Sequence, residues 1–244
     1  GQQSIVDNRA STILSIDTAA KALPDGHTLT VQGGVLWIFP LLQKAPYDAV
    51  ADFAPITLVS MEPSVLAVHP SVAANSVKEL IAVAKTKPGT LNYASAAIGG
   101  VPHLAAELFK SMAGVNIVWV PYKGSGIALT ALLGGEVQMF VSDAGMLMPH
   151  AKSGKLRALA VTTLQPSALA PGLPTVASAG LPGYESVGRS GIWAPAKTPA
   201  TIVNRLNQEI VRVLNQPEVK ERLLTAGAEA VGNSPEQFTA IINS

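Results

Sequence analysis

Residues 91–112, LNYASAAIGGVPHLAAELFKSM, constrain the fold more than any other stretch, because a strand, a glycine-bearing turn and a helix start follow one another without a spacer. A chain that repeats this pattern is committed to an α/β architecture. Gly99 and Gly100 carry no Cβ, so the backbone there can approach a ligand closely. Pro102 suits the first helical position, where its missing N–H costs nothing, and Leu104, Leu108 and Met112 recur every fourth residue, which predicts one buried stripe. The first turn of a helix leaves amides without intrahelical partners and gathers the positive end of the dipole. A small anion can therefore sit at this turn, with Ser95 adding a hydroxyl and His103 close by. The same spacing also describes an ordinary strand-to-helix turn.

The remaining chain alternates in the same way. A strand over 3–7 precedes a helix over 11–23, and a strand over 28–32 stops at Gly33 and Gly34, from which an apolar run over 35–42 reads as a short buried helix. Two β-branched runs, 56–60 and 64–69, are joined through Met61, Glu62 and Pro63. Ser76 and Glu79 stand at capping-box spacing before a helix that ends at Pro88-Gly89. A strand over 116–120 delivers Pro121, Tyr122, Lys123 and Gly124, after which Ser125 reads as the N-cap of a helix over 127–133. A strand over 137–141 leads to Ser142 and Asp143 and a helix over 146–151, and a buried strand covers 156–162. Residues 166–183 are mostly loop, 190–194 return as a strand, and helices follow from 199, 217 and 235, the last with Ser234 and Gln237 as a capping box. The fold class is α/β, doubly wound, and strand ends that run into glycines are where such sheets gather ligands.

Charge sharpens that expectation. Lys and Arg number three against six acids in 1–68, nine against five in 69–190 and five against five in 191–244, so the middle of the chain is basic. The excess is spread thinly and aromatics are 5%, which argues against a nucleic-acid groove and fits a small anionic ligand. There is no cysteine, hence no disulfide and no thiolate metal site. No stretch approaches the ~20 apolar residues of a spanning helix, and no charged n-region precedes an apolar h-region.

Catalytic signals are weak. No Gly-x-Ser-x-Gly elbow is present, and His27, His69, His103 and His150 stand far apart, without the spacing of metal ligands. No phosphate loop or dinucleotide fingerprint occurs, so no cofactor is expected. His103 reads either as a general base, which gives a hydrolase reading, or as a histidine that packs locally; Asp143 reads as orienting an amine or capping a turn; and Trp37, Phe39 and Trp119 give a receptor for an aromatic or uncharged molecule.

The chain also resembles a known family. ALPDGHTL at 22–29, PYD at 46–48 with DFAP at 52–55, LNYAS at 91–95 leading to HLAAE at 103–107, VPYKGSG at 120–126, LLGG at 132–135, GKLRALAV at 154–161 and APAKTP at 194–199 are similar to the substrate-binding receptors of tripartite tricarboxylate transporters, the Bug-type, TctC-like extracytoplasmic solute-binding proteins. The resemblance implies a two-lobe periplasmic-binding-protein fold of the Venus-flytrap kind, type II-like, with two chain crossovers. Lobe one would comprise 1–68 plus 191–244, lacking its first strand and helix, and lobe two 69–190. It implies a periplasmic receptor, not an enzyme, that captures a di- or tricarboxylate or an acidic amino acid for membrane permease subunits. Carried over residue by residue, the ligand would lie against Gly33, Gly34 and Val35 from one lobe. Ser95, Ala96, Gly99, Gly100 and His103 would face it from the other, with Lys123, Gly124, Ser125, Ser142 and Asp143 as the far wall.

Overall fold

The computed structural model describes residues 5–9, 11–96 and 99–243. The chain divides into two units, Gly1–Met61 with Arg189–Arg222 and Ala230–Ser244, and Glu62–Gly188 with Leu223–Glu229. It passes from the first to the second inside one long strand, β2 (Phe53–Val68), and returns inside another, β7 (Val187–Pro195). The short excursion Leu223–Glu229 is tied to the second unit by the Glu229 carboxylate, which accepts from the Ser167 hydroxyl at 2.6 Å and the Ala168 amide at 3.0 Å.

In the first unit, α1 (Thr12–Ala20) starts at Ser11, whose hydroxyl accepts from the Leu14 amide. β1 (Thr30–Gln32) pairs antiparallel with β7, Thr30 opposite Trp193, and runs into α2 (Val35–Leu42). Ile16, Leu36, Phe53, Trp193 and Phe238 share one core. Phe238 comes from the final helix, Pro235–Ile242, where Ser234 and Gln237 form the expected capping box. Three expectations change here. The strand foreseen over 3–7 lies partly outside the described residues, and Ile5 to Asp7 form no strand, Ile5 being 93% exposed. The apolar helix α2 is not a buried one: Leu36 alone is fully covered, while Val35, Leu41 and Leu42 face solvent. The break foreseen at Met61, Glu62 and Pro63 is absent because β2 runs straight through it; Pro63 lies just before the ladder with β5 that begins at Ser64.

The second unit is a sheet in the order β4, β3, β5, β2, β6, formed by β4 (Val118–Pro121), β3 (Asn92–Ser95), β5 (Met139–Asp143), the end of β2, and β6 (Arg157–Val161). β4 and β5 both run parallel to β3, and β2 opposes β5 and β6. Alternate residues feed two apolar layers, as the period of a strand requires. Tyr93, Leu66 and Val141 face one layer with α3 (Val77–Thr86) and α4 (Val101–Ala113). Ala94, Val65 and Phe140 face the other with α5 (Ser125–Leu133) and α6 (Ala144–Lys152).

The stripe that packs α4 is not the expected one. Ala105, Ala106, Phe109 and Ala113 are buried, whereas Leu108 and Met112 are more than a third exposed and Leu104 is half-buried. Small side chains let the helix axis lie close to the sheet, and one large residue, Phe109, fills the remaining gap against Tyr184. Counting large apolar residues selected the wrong face. The Ser76 cap forms as foreseen, its hydroxyl accepting from the Glu79 amide, but the Glu79 carboxylate reaches one residue further, to the Asn75 amide at 2.7 Å.

Candidate functional site

Three parallel neighbours, β4, β3 and β5, each run directly into a helix, so α5, α4 and α6 present their N-termini along one edge of the second unit's sheet. Register fixes this: Ser95 lies opposite Pro121, and the helices begin within six residues of those strand ends. Each helix brings the positive end of its dipole, worth roughly half a charge, together with unpaired first-turn amides. Of the residues named from sequence, Ser95, Ala96, Gly99, Gly100, His103, Lys123, Gly124, Ser125, Ser142 and Asp143 all belong to this edge. Gly33, Gly34 and Val35 stand at the corresponding strand end in the first unit.

The central turn is built by glycine. Gly99 has a φ of 77°, a conformation that costs other L-residues dearly, and Gly100 caps α4 with an extended ψ of 156° and no side chain to occupy the amides. Among the described residues nothing accepts from the amides of Val101 and His103, and Pro102 contributes no donor. The Gly99 amide is engaged, donating to His103 Nδ1 at 3.4 Å, so His103 carries its ring proton on Nε2 when neutral. This bond and an edge-to-face contact with Trp119 at 4.8 Å hold the imidazole. The ring therefore serves the local turn, and no described hydroxyl pairs with it as a nucleophile would.

Ser95 occupies a different place from the one its position at a strand end suggests. It is fully buried, and its hydroxyl accepts from Trp119 Nε1 at 2.7 Å. Behind it lies a second polar group: the buried Tyr93 hydroxyl donates to Glu107 Oε1 at 2.6 Å, Lys110 bridges the same oxygen at 2.5 Å, and the Lys110 ammonium stands 5.2 Å from the Tyr93 ring centre. Burial and the Glu107 hydrogen bond push the Tyr93 phenol well above its ordinary range. Burial also raises Glu107, but hydrogen bonds from Lys110 and Tyr93 outweigh it and its pKa falls. The i, i+3 spacing of Glu107 and Lys110 was readable in sequence; their link to Tyr93 depends on the sheet.

At the neighbouring strand ends, Ser125 is not the N-cap of α5. Gly124 takes that position, extended, and Ser125 is the first helical residue, which leaves its hydroxyl beside the open end of the helix. Lys123 is exposed. Ser142 is fully buried, its hydroxyl 3.8 Å from the Met146 sulfur. Asp143 caps α6 without a side-chain hydrogen bond, and although its residue reaches solvent, desolvation raises its carboxyl pKa. Its register partner on β2 is Ser64, whose buried hydroxyl has no partner among the described residues. No group of three metal-ligating side chains occurs among the described residues. A depression of about 510 Å³ on the first unit, lined by Asp25, Arg205, Leu206 and Glu209, involves none of the residues named from sequence.

Known proteins place the chain as a whole in a family. A family model described as the tripartite tricarboxylate transporter family receptor, TctC, matches residues 1–244. BugT of Bordetella pertussis (strain Tohama I) is 34% identical over 247 residues, covering 99% of this chain and 76% of BugT. Among solved structures, Rpa4515 of R. palustris with adipate shares 33% identity and a TM-score of 0.77 over 98% of this chain and 81% of its own. The periplasmic binding protein BugD shares 31% identity with a TM-score of 0.73 over 95% and 78% of the two chains. MatC of Rhodopseudomonas palustris with bound malate shares 28% with a TM-score of 0.71 over 95% and 80%.

Proposed function

The chain belongs to the tripartite tricarboxylate transporter receptor family, and we propose that it captures a small carboxylate at the strand-end edge of its second unit and delivers it to membrane permease subunits. The observation that carries this reading is the convergence of three helix N-termini around a turn whose glycines leave backbone amides open. Backbone donors suit a carboxylate: they are fixed before the ligand arrives and carry no counter-charge that water must solvate in the empty protein. Lys123 and the Ser125 hydroxyl extend the donor set. Asp143, whose ionised form is disfavoured by desolvation, suits an ammonium or hydroxyl on the ligand rather than a further carboxylate.

Related structures bind adipate and malate, and a receptor of this family works in the periplasm, as BugD does. No described helix is long and apolar enough to cross a membrane. The role is binding without turnover, which fits a His103 that is committed to the Gly99 amide and to Trp119. Calorimetry with succinate, adipate, malate, citrate and aspartate tests the proposal. At least one should bind with micromolar or tighter affinity, and a folded chain that takes up none of them contradicts it.

A further inference from the structure

We infer that Trp119 determines ligand preference at this edge, that Ser95 acts as its positioning residue, and that the carboxylates favoured are those carrying a flat apolar group such as an aryl ring. The inference rests on the carboxylate reading above and names the class within it.

Trp119 sits on β4 opposite Tyr93 of β3, so both side chains leave the sheet on the face covered by α4. Tyr93 is buried there, but the Trp119 ring stands nearer to His103, 4.8 Å against 6.4 Å, and keeps part of its surface accessible. Its indole is held at two points. Nε1 donates to Ser95 Oγ at 2.7 Å, and the ring meets His103 edge-to-face at 4.8 Å, with interplanar angle 66°. His103 is in the first turn of α4, where the amides of Val101 and His103 have no acceptor among the described residues. A carboxylate on those amides therefore has its body within reach of the indole.

Ser95 cannot meet a ligand while Trp119 covers it, because none of its surface is accessible. Its hydroxyl does other work: it satisfies the indole N–H, which would otherwise turn toward water, and so fixes the ring in one orientation. A partly buried aromatic locked beside a helix N-terminus has the composition of a small-molecule site with a few polar anchors and an apolar wall. Tyr93, at 6.4 Å from His103, closes the stack from behind and leaves Trp119 as the accessible member.

The pair succinate and phenylsuccinate isolates the effect, since the two share both carboxylates and differ by the ring. Calorimetry should give phenylsuccinate about tenfold tighter binding than succinate, the advantage expected for covering one aromatic face. Trp119→Ala should abolish that preference, so that phenylsuccinate and succinate bind with affinities within about twofold of each other. Ser95→Ala keeps the ring but frees it, so the preference should shrink and the indole emission should move to longer wavelength. Trp119→Leu, which keeps apolar bulk without the ring, guards against a misfolded alanine variant. Succinate binding as tightly as phenylsuccinate to the native chain, or a preference that survives loss of the indole, overturns the inference and leaves the carboxylate reading intact. Failure of the native, folded chain to bind either acid removes both.

Discussion

Two places in this chain read alike and are built differently. Both Thr30–Gln32 and Asn92–Ser95 are short strands that run through a glycine pair into a helix. At the first, Gly34 is already helical with φ −54° and ψ −20°, and the Gly33 and Gly34 carbonyls accept from Leu36, Trp37 and Ile38, so the turn closes on itself. At the second, Gly99 turns with a positive φ and Gly100 stays extended, and among the described residues nothing accepts from the Val101 and His103 amides. An identical pair of letters thus encodes a turn closed on its own carbonyls in one unit and a positive-φ turn ahead of a helix start in the other. What separates them is whether the backbone needs glycine at all.

Substitution should expose that difference most strongly. Gly99→Ala places a Cβ on a residue of φ 77° and should cost about 1–2 kcal/mol of stability and most of the carboxylate affinity. Gly33→Ala meets only the Arg189 carbonyl oxygen at 3.6 Å and should change stability by no more than about 0.5 kcal/mol. Thermal unfolding of both variants checks this, and equal losses would erase the distinction.

A finer test removes a donor without straining the chain. Val101 is the first residue of α4, a position where proline is tolerated because the N–H has no helical partner. Val101→Pro should leave unfolding unchanged yet weaken carboxylate binding about tenfold, the worth of one hydrogen bond to a charged group.

How much of this was legible follows from which physics each feature obeys. Caps and glycine stops are local, so Ser11, Ser76 and Ser234 were readable as helix starts and Gly114, with φ 62°, as a helix end. Burial is not local. Leu104, Leu108 and Met112 satisfied the helical period, but the sheet accepted the alanine face beside them. Met61, Glu62 and Pro63 looked like a break because composition cannot reveal that β2 passes between two units there. The strand-to-helix turn at Gly99 and Gly100 was legible, because glycine before a helix start is a local signal. The covering of Ser95 by Trp119 was not, because it arises from parallel pairing between β3 and β4, 24 residues apart in sequence.

The smallest effect concerns the support behind the seat. The Glu107 pKa is lowered in the folded protein, so its contribution to stability is present above the carboxylate's ordinary pKa of ~4.3 and disappears as pH falls through the folded value. Glu107→Gln should therefore unfold more easily than the native chain at pH 7 and match it in acid. No counterpart to this Tyr93, Glu107 and Lys110 group is needed at the first unit's turn, where the carbonyls of Gly33 and Gly34 are already satisfied by the helix.

The central claim is that open backbone amides at one sheet edge hold the carboxylate. Amide proton and nitrogen shifts, followed as succinate is added to the isotope-labelled chain, test it at the atoms concerned. The account predicts saturable downfield movement of the Val101 and His103 amides, with the Gly124 and Ser125 amides moving alongside them. Saturable binding that leaves those four amides in place would contradict it.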